Sequence, residues 1–251
     1  MNKYEITKRI ENFAPLETQE SWDCSGWVVD VPEHDEISKI MLCLTVTEDI
    51  IRQAKENNCD MIISHHPLFF VKLDWKDINI YCAHTNLDLA QGGTTDCLIK
   101  KIMLSPILIL PHVGGKNFDL SLRKSGISVG GDYKKSFLRY IETKISIIEF
   151  VNILKPLSPH MRYVNNKNIQ TLHKIAFCAG SGAEFIEEAY SNGADALVTG
   201  DIKFHTALDS PIVLFDIGHF ESEIGVLKVF ENLINNDVEV IYSYEISPFN
   251  Y

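Results

Sequence analysis

Residues 40–66 constrain the fold more than any other stretch. Ile40-Met41-Leu42-Cys43-Leu44-Thr45-Val46 is a short, almost wholly apolar run that reads as a buried strand. Thr47 then offers an N-cap, and Glu48 and Asp49 suit the positive end of a helix whose apolar stripe is Ile50, Ile51 and Ala54. Asn57 and Asn58 end that helix, and Asp60-Met61-Ile62-Ile63 supplies the next strand. A strand, helix and strand in this order form a crossover unit, so the two strands run parallel and the chain is of the α/β class.

The remaining elements repeat this rhythm. A helix is expected over 5–15 and a strand over 78–83, and residues 104–135, rich in Gly, Pro and Ser, are read as holding a domain junction. A smaller α/β domain follows: a strand at 137–141, a helix at 146–155, strands at 161–164 and 174–178, a helix at 183–191 and a strand at 195–199. The strand at 211–216, the helix at 219–234 and the strand at 238–243 are assigned back to the first domain. The expected division is 1–115 plus 200–251 against 116–199.

With 251 residues and 45% apolar content, the chain can bury one large core or two small ones. Its longest apolar run, 102–110, is interrupted and shorter than the ~20 residues of a membrane span. The N-terminus has no apolar signal region. Six scattered cysteines without a CxxC pair read as buried reduced thiols, which suits the cytoplasm. A net charge of -11 argues against direct nucleic-acid binding.

Polar residues gather where strands end. Ser64-His65-His66-Pro67 follows one strand, and the proline biases His66 toward extended backbone, in which neighbouring side chains diverge and can serve different metals. His84-Thr85-Asn86-Leu87-Asp88 follows the next, and Asp88 brings a carboxylate. Asp216-Ile217-Gly218-His219-Phe220-Glu221-Ser222-Glu223 places His219 and Glu223 at i and i+4 on one helical face. Each cluster alone also suits an ordinary polar surface. Together, beyond the carboxyl ends of parallel strands, they form a ligand-gathering pattern. Three imidazoles and two carboxylates suit two divalent transition-metal ions, Zn, Fe, Mn, Co or Ni, better than Mg or Ca.

Asp201, His205 and His84 are candidates for proton transfer, with an N-cap role as the plainer reading of Asp201. Gly180-Ser181-Gly182 reads as a tight turn, with an anion cradle as the alternative. His34, His112, His160 and His173 read as loop or surface residues.

These motifs, with Trp22-Asp23-Cys24-Ser25-Gly26, Leu68-Phe69, Ala179-Gly180-Ser181-Gly182 and Gly200-Asp201, resemble the family of type 2 homologues of GTP cyclohydrolase I, in its short form, along essentially the whole chain. The resemblance implies two interlinked α/β domains with mixed, partly parallel sheets, a ring-shaped homohexamer, and a dinuclear metal site on His65, His66, Asp88, His219 and Glu223. Thr45 departs from the family's usual aspartate, and Cys24-Ser25 from its usual asparagine-containing pair. The expected activity is metal-dependent hydrolysis of an unidentified small, nucleotide-like substrate, two ions roughly 3.5–4 Å apart activating a water. Cyclohydrolase action on GTP itself is not favoured, because only Lys72, Lys76 and Lys203 are near to meet a triphosphate. A metal-stabilised ring that binds partners without catalysis is the competing class.

Overall fold

The computed structural model describes residues 1–103, 130–131, 136–234 and 237–249. The stretch read as a domain junction, and His112 within it, lie almost wholly outside the described residues. The chain divides into two units, Met1–Thr94 with Ile224–Pro248, and Thr95–Glu223. Each carries a five-stranded mixed sheet with helices.

The first sheet has β1 (Gly26–Val29), β2 (Lys39–Cys43), β3 (Met61–Ser64), β4 (Asn79–Cys82) and β10 (Glu239–Tyr242), in the order β1-β4-β3-β2-β10. The expected crossover unit forms: β2 and β3 pair in parallel through the helix Glu48–Glu56. Thr47 Oγ1 caps that helix by accepting from Ile50 N. Ile50, Ile51 and Ala54 pack with Met41, Cys43, Ile62 and Ile80 into one apolar cluster. β3 and β4, and β2 and β10, are also parallel, and only β1 runs antiparallel, on the edge beside β4. Because β2, β3 and β4 point the same way, the residues that follow Cys43, Ser64 and Cys82 all leave from one edge of the sheet.

The second sheet has β5 (Arg139–Ser146), β6 (Arg162–Val164), β7 (Thr171–Phe177), β8 (Ala196–Thr199) and β9 (Val213–Asp216), in the order β5-β7-β8-β9-β6. β7, β8 and β9 are parallel, and the antiparallel β5 and β6 close the two edges. Ser146 opens the helix Ile147–Leu154 with a capping box to Glu149. Phe150, Ile153 and Leu154 from that helix join Phe177, Val198 and Phe215 in the core.

Two expectations are corrected here. The return to the first unit falls at Ile224 and not at 200, because β9 pairs with β8 and β6 in the second sheet. A wholly buried strand such as Val213–Asp216 carries no face pattern to show which sheet it joins. The long helix expected at 219–234 is broken into His219–Glu223, a 3-10 turn Ile224–Val226 and Leu227–Ile234. The chain changes unit at that break.

Candidate metal centre

In the first unit the ladder of β3 continues past its end, with His65 N donating to Cys43 O (3.1 Å) and His66 N to Leu44 O (2.7 Å). This fixes the backbone of both histidines before their rings make any contact. The rings do not diverge as extended neighbours would: β3 ends at Ser64, the chain bends, and the ring centroids stand 5.2 Å apart. His65 is fully buried, and its Nδ1–H donates to the Ala83 carbonyl at 3.0 Å. That bond leaves Nε2 of the neutral ring as a lone pair, facing Asp88 Oδ1 at 3.3 Å. Two acceptors this close are compatible only when a proton or a cation lies between them. A separation of roughly 3.3 Å is also what two ligands of one tetrahedral ion show when the bonds are about 2.0–2.2 Å.

The second unit repeats the device with different parts. In the helix His219–Glu223, His219 Nε2 stands 3.0 Å from Glu223 Oε2, one turn on. Nδ1–H of the same ring donates to Asp201 Oδ2 at 2.6 Å. Burial opposes charge on His219, but Glu223 and Asp201 outweigh it and raise its pKa to about 9. Without a metal, a proton takes the place between ring and carboxylate. Gly180 makes room for the pair: its φ is +68°, and a Cβ there would stand 2.2 Å from Glu223 Oε1. Asp216 braces the frame, its carboxylate accepting from Ile202 N, Gly218 N and the Arg162 guanidinium.

His66 and His84 are anchored through Nδ1 as well. Thr45 Oγ1 lies 2.6 Å from His66 Nδ1, so the hydroxyl holds this ring. His84 Nδ1–H donates to Asp23 Oδ1 at 3.2 Å. Burial pushes the Asp23 carboxyl up, but hydrogen bonds from His84 and Thr85 outweigh it and hold it below the usual carboxylate range. His65, His66 and His84 can each present one ligand atom such that all three lie within 4.8 Å of one another. Ligating histidines characteristically fix the ring through the second nitrogen in this way.

The other expected residues fall as follows. Asp201 caps no helix: the helix Phe204–Asp209 starts after Lys203 without a side-chain cap, and Asp201, at φ 58°, accepts from His219 instead. His205 is exposed on that helix with its ring against Phe204. The Gly180–Gly182 loop spends its amides internally, Gly180 N on Ser222 Oγ and Gly182 N on Thr199 Oγ1, so it is a tight turn and offers those two groups to no anion. Lys72 is paired with Glu48 and lies over the Trp75 ring, and Lys76 and Lys203 are exposed. The six cysteines form no disulfide, and Cys24 is exposed because it sits in the loop before β1. Among the described residues, no helix is long and apolar enough to cross a membrane. The sequence reading missed Asp23 and the ring-holding part of Thr45 and Asp201. The acidic motif around Trp22 was the one available signal for Asp23.

Comparison with known proteins agrees with this architecture. The chain is 33% identical to the GTP cyclohydrolase 1 type 2 homolog of Clostridium perfringens, over 279 aligned positions covering 100% of both chains. It is 29% identical to the NIF3-like protein 1 of Drosophila melanogaster, covering 90% of this chain and 79% of that one. Among solved structures, Staphylococcus aureus protein SA1388 superposes with a TM-score of 0.76 at 25% identity, covering 100% and 99% of the two chains. Reduced HcgD from Methanocaldococcus jannaschii superposes with a TM-score of 0.74 at 26% identity, covering 96% and 97%. The Duf34/NIF3 (NGG1p interacting factor 3) family model matches residues 1–76 and 71–248, and the chain belongs to that family.

Proposed function

We propose that the chain holds two divalent transition-metal ions, through His65, His66 and Asp88 in one unit and His219 and Glu223 in the other, and hydrolyses a small, nucleotide-like substrate with metal-activated water. One observation carries the reading. In each unit an imidazole anchored at Nδ1 turns Nε2 toward a carboxylate oxygen, at 3.3 Å in one and 3.0 Å in the other. Ions so held supply Lewis acidity and bring the pKa of a bound water toward neutrality.

The chain's own residues set the rest. The Ala83 carbonyl and Asp201 fix which nitrogen of His65 and His219 is available. Burial of His65 and Glu223 takes one member of each ligand pair out of bulk water, so charge on that member is more weakly screened than at the surface. Among the described residues, Lys72 is paired with Glu48, and the few cations left, Lys76 and Lys203, favour a substrate of low charge over a nucleoside triphosphate.

The competing reading, a metal-stabilised ring that binds partners, is favoured by Phe69, Phe70 and Leu73, which are 77%, 73% and 84% exposed and suit cover by another copy. A Glu223→Gln variant separates the two. The metal-loaded parent and variant are compared for release of product from a panel of phosphoesters, amides and nucleosides, and for size in solution. Hydrolysis requires turnover in the parent that is absent from the variant, at unchanged size. No turnover by the parent, with the variant falling apart, would leave the ring reading in its place.

A further inference from the structure

The proposed ligand set leaves aside the third imidazole beside His65 and His66, and a carboxylate in the first unit that collects several hydrogen bonds. The Asp23 side chain is fully buried, at 0% exposure. Oδ2 accepts from Thr85 N (3.0 Å), Thr85 Oγ1 (2.5 Å) and Ser25 Oγ (3.1 Å), and Oδ1 from Cys24 N (2.7 Å). Four donors besides His84 fix this carboxylate in position and as an acceptor. Facing it at 3.2 Å, a neutral His84 ring has to carry its proton on Nδ1, which leaves the Nε2 lone pair as its outward group. The His84 backbone is tied as well, its N–H donating to Ser25 Oγ and Asn86 Oδ1. The ring packs edge-on to His65 and His66, with centroids 5.3 and 5.7 Å away, and Trp22 lies against it at 6.0 Å.

We propose that His84 is a third imidazole donor to the ion held by the first unit, and that Asp23 is the positioning residue that sets its tautomer. The inference rests on the metal reading above and extends it by a ligand outside the five. Asp23 does for His84 what the Ala83 carbonyl does for His65, with a stronger acceptor. Three anchored imidazoles in reach of one another select a transition metal over Mg or Ca. An amide in place of the carboxylate offers an N–H to Nδ1, moves the ring proton to Nε2 and closes that nitrogen to a metal.

The test is cobalt titration of the chelator-stripped full chain, read by the visible absorption of Co(II), which reports both affinity and ligand set. The parent is compared with His65→Ala, His84→Ala and Asp23→Asn. His65→Ala is expected to abolish binding by the first unit. His84→Ala should weaken it at least about tenfold and change the spectrum, and Asp23→Asn should weaken it about 10–100-fold, the range for loss of an orienting partner. Should either variant fail to fold, the imidazole nitrogen resonances of the parent decide: zinc has to move the His84 Nε2 signal. Cobalt binding in His84→Ala with the affinity and spectrum of the parent, or an unmoved Nε2 signal, overturns the inference alone. A parent that takes up no cobalt overturns the metal reading and this inference with it.

Discussion

His65 and His219 reach the same arrangement by opposite means. His65 is buried, follows a strand, and is fixed by hydrogen bonds that need no charge: its own N–H on Cys43 O and its ring on Ala83 O. His219 is 34% exposed, starts a five-residue helix, and is held between two carboxylates, Asp201 and Glu223. Backbone placement makes the first ligand pair insensitive to single side-chain changes around it. Carboxylate placement makes the second sensitive to its partners and to protons.

The largest effects come from removing ligands in either region. Asp88→Ala and Glu223→Ala are each expected to cost about one ion per chain, measured by elemental analysis after reconstitution. Retention of the parent's full metal content by either variant would break the parallel between the two pairs.

Next comes Gly180→Ala, which touches only the second region. An L side chain at φ +68° costs about 1–3 kcal/mol, and its Cβ collides with Glu223. Loss of thermal stability together with loss of metal from the second pair is expected, and a variant with the parent's metal content would show that Glu223 has freedom to move.

The orienting partners rank below these. Asp201→Ala should lower metal affinity about 10–100-fold. Thr45→Val should lower it by less, because a neutral hydroxyl contributes less to ring basicity than a carboxylate, and competition with a chromogenic chelator compares the two. A larger loss in Thr45→Val would reverse the ranking.

The smallest effect is a pH dependence confined to the metal-free protein. The folded pKa of His219 is raised to about 9 from an ordinary 6.5, so the stability it contributes is fully present below about 6.5 and lost as pH rises through about 9. Melting temperature in excess chelator should therefore fall over that window by more in the parent than in His219→Gln. Identical profiles would remove the proton from the second pair.

What the sequence disclosed follows the same division. The positions of His65, His66, Asp88, His219 and Glu223 just beyond strands were legible, because strand ends show in local apolar runs; whether they ligate metal is the proposal that the variants above test. The crossover from Lys39–Cys43 to Met61–Ser64 was legible for the same reason. Contacts between distant segments were not. Asp23 meets His84 across 61 positions, Thr45 meets His66 across 21, and the Ala83 carbonyl has no side chain to advertise it. The four-residue edge strand Gly26–Val29 was missed because it follows an irregular loop and is too short to show a period. The place where the chain re-enters the first unit was missed because strand pairing, not composition, decides which sheet Val213–Asp216 joins.

Elemental analysis of the purified, reconstituted full chain tests the central claim most directly, beside a His65→Ala, His219→Ala double variant. The account predicts about two transition-metal ions per chain in the parent and a clear loss in the variant. No metal in the parent after reconstitution, or an equal amount in both proteins, would contradict it.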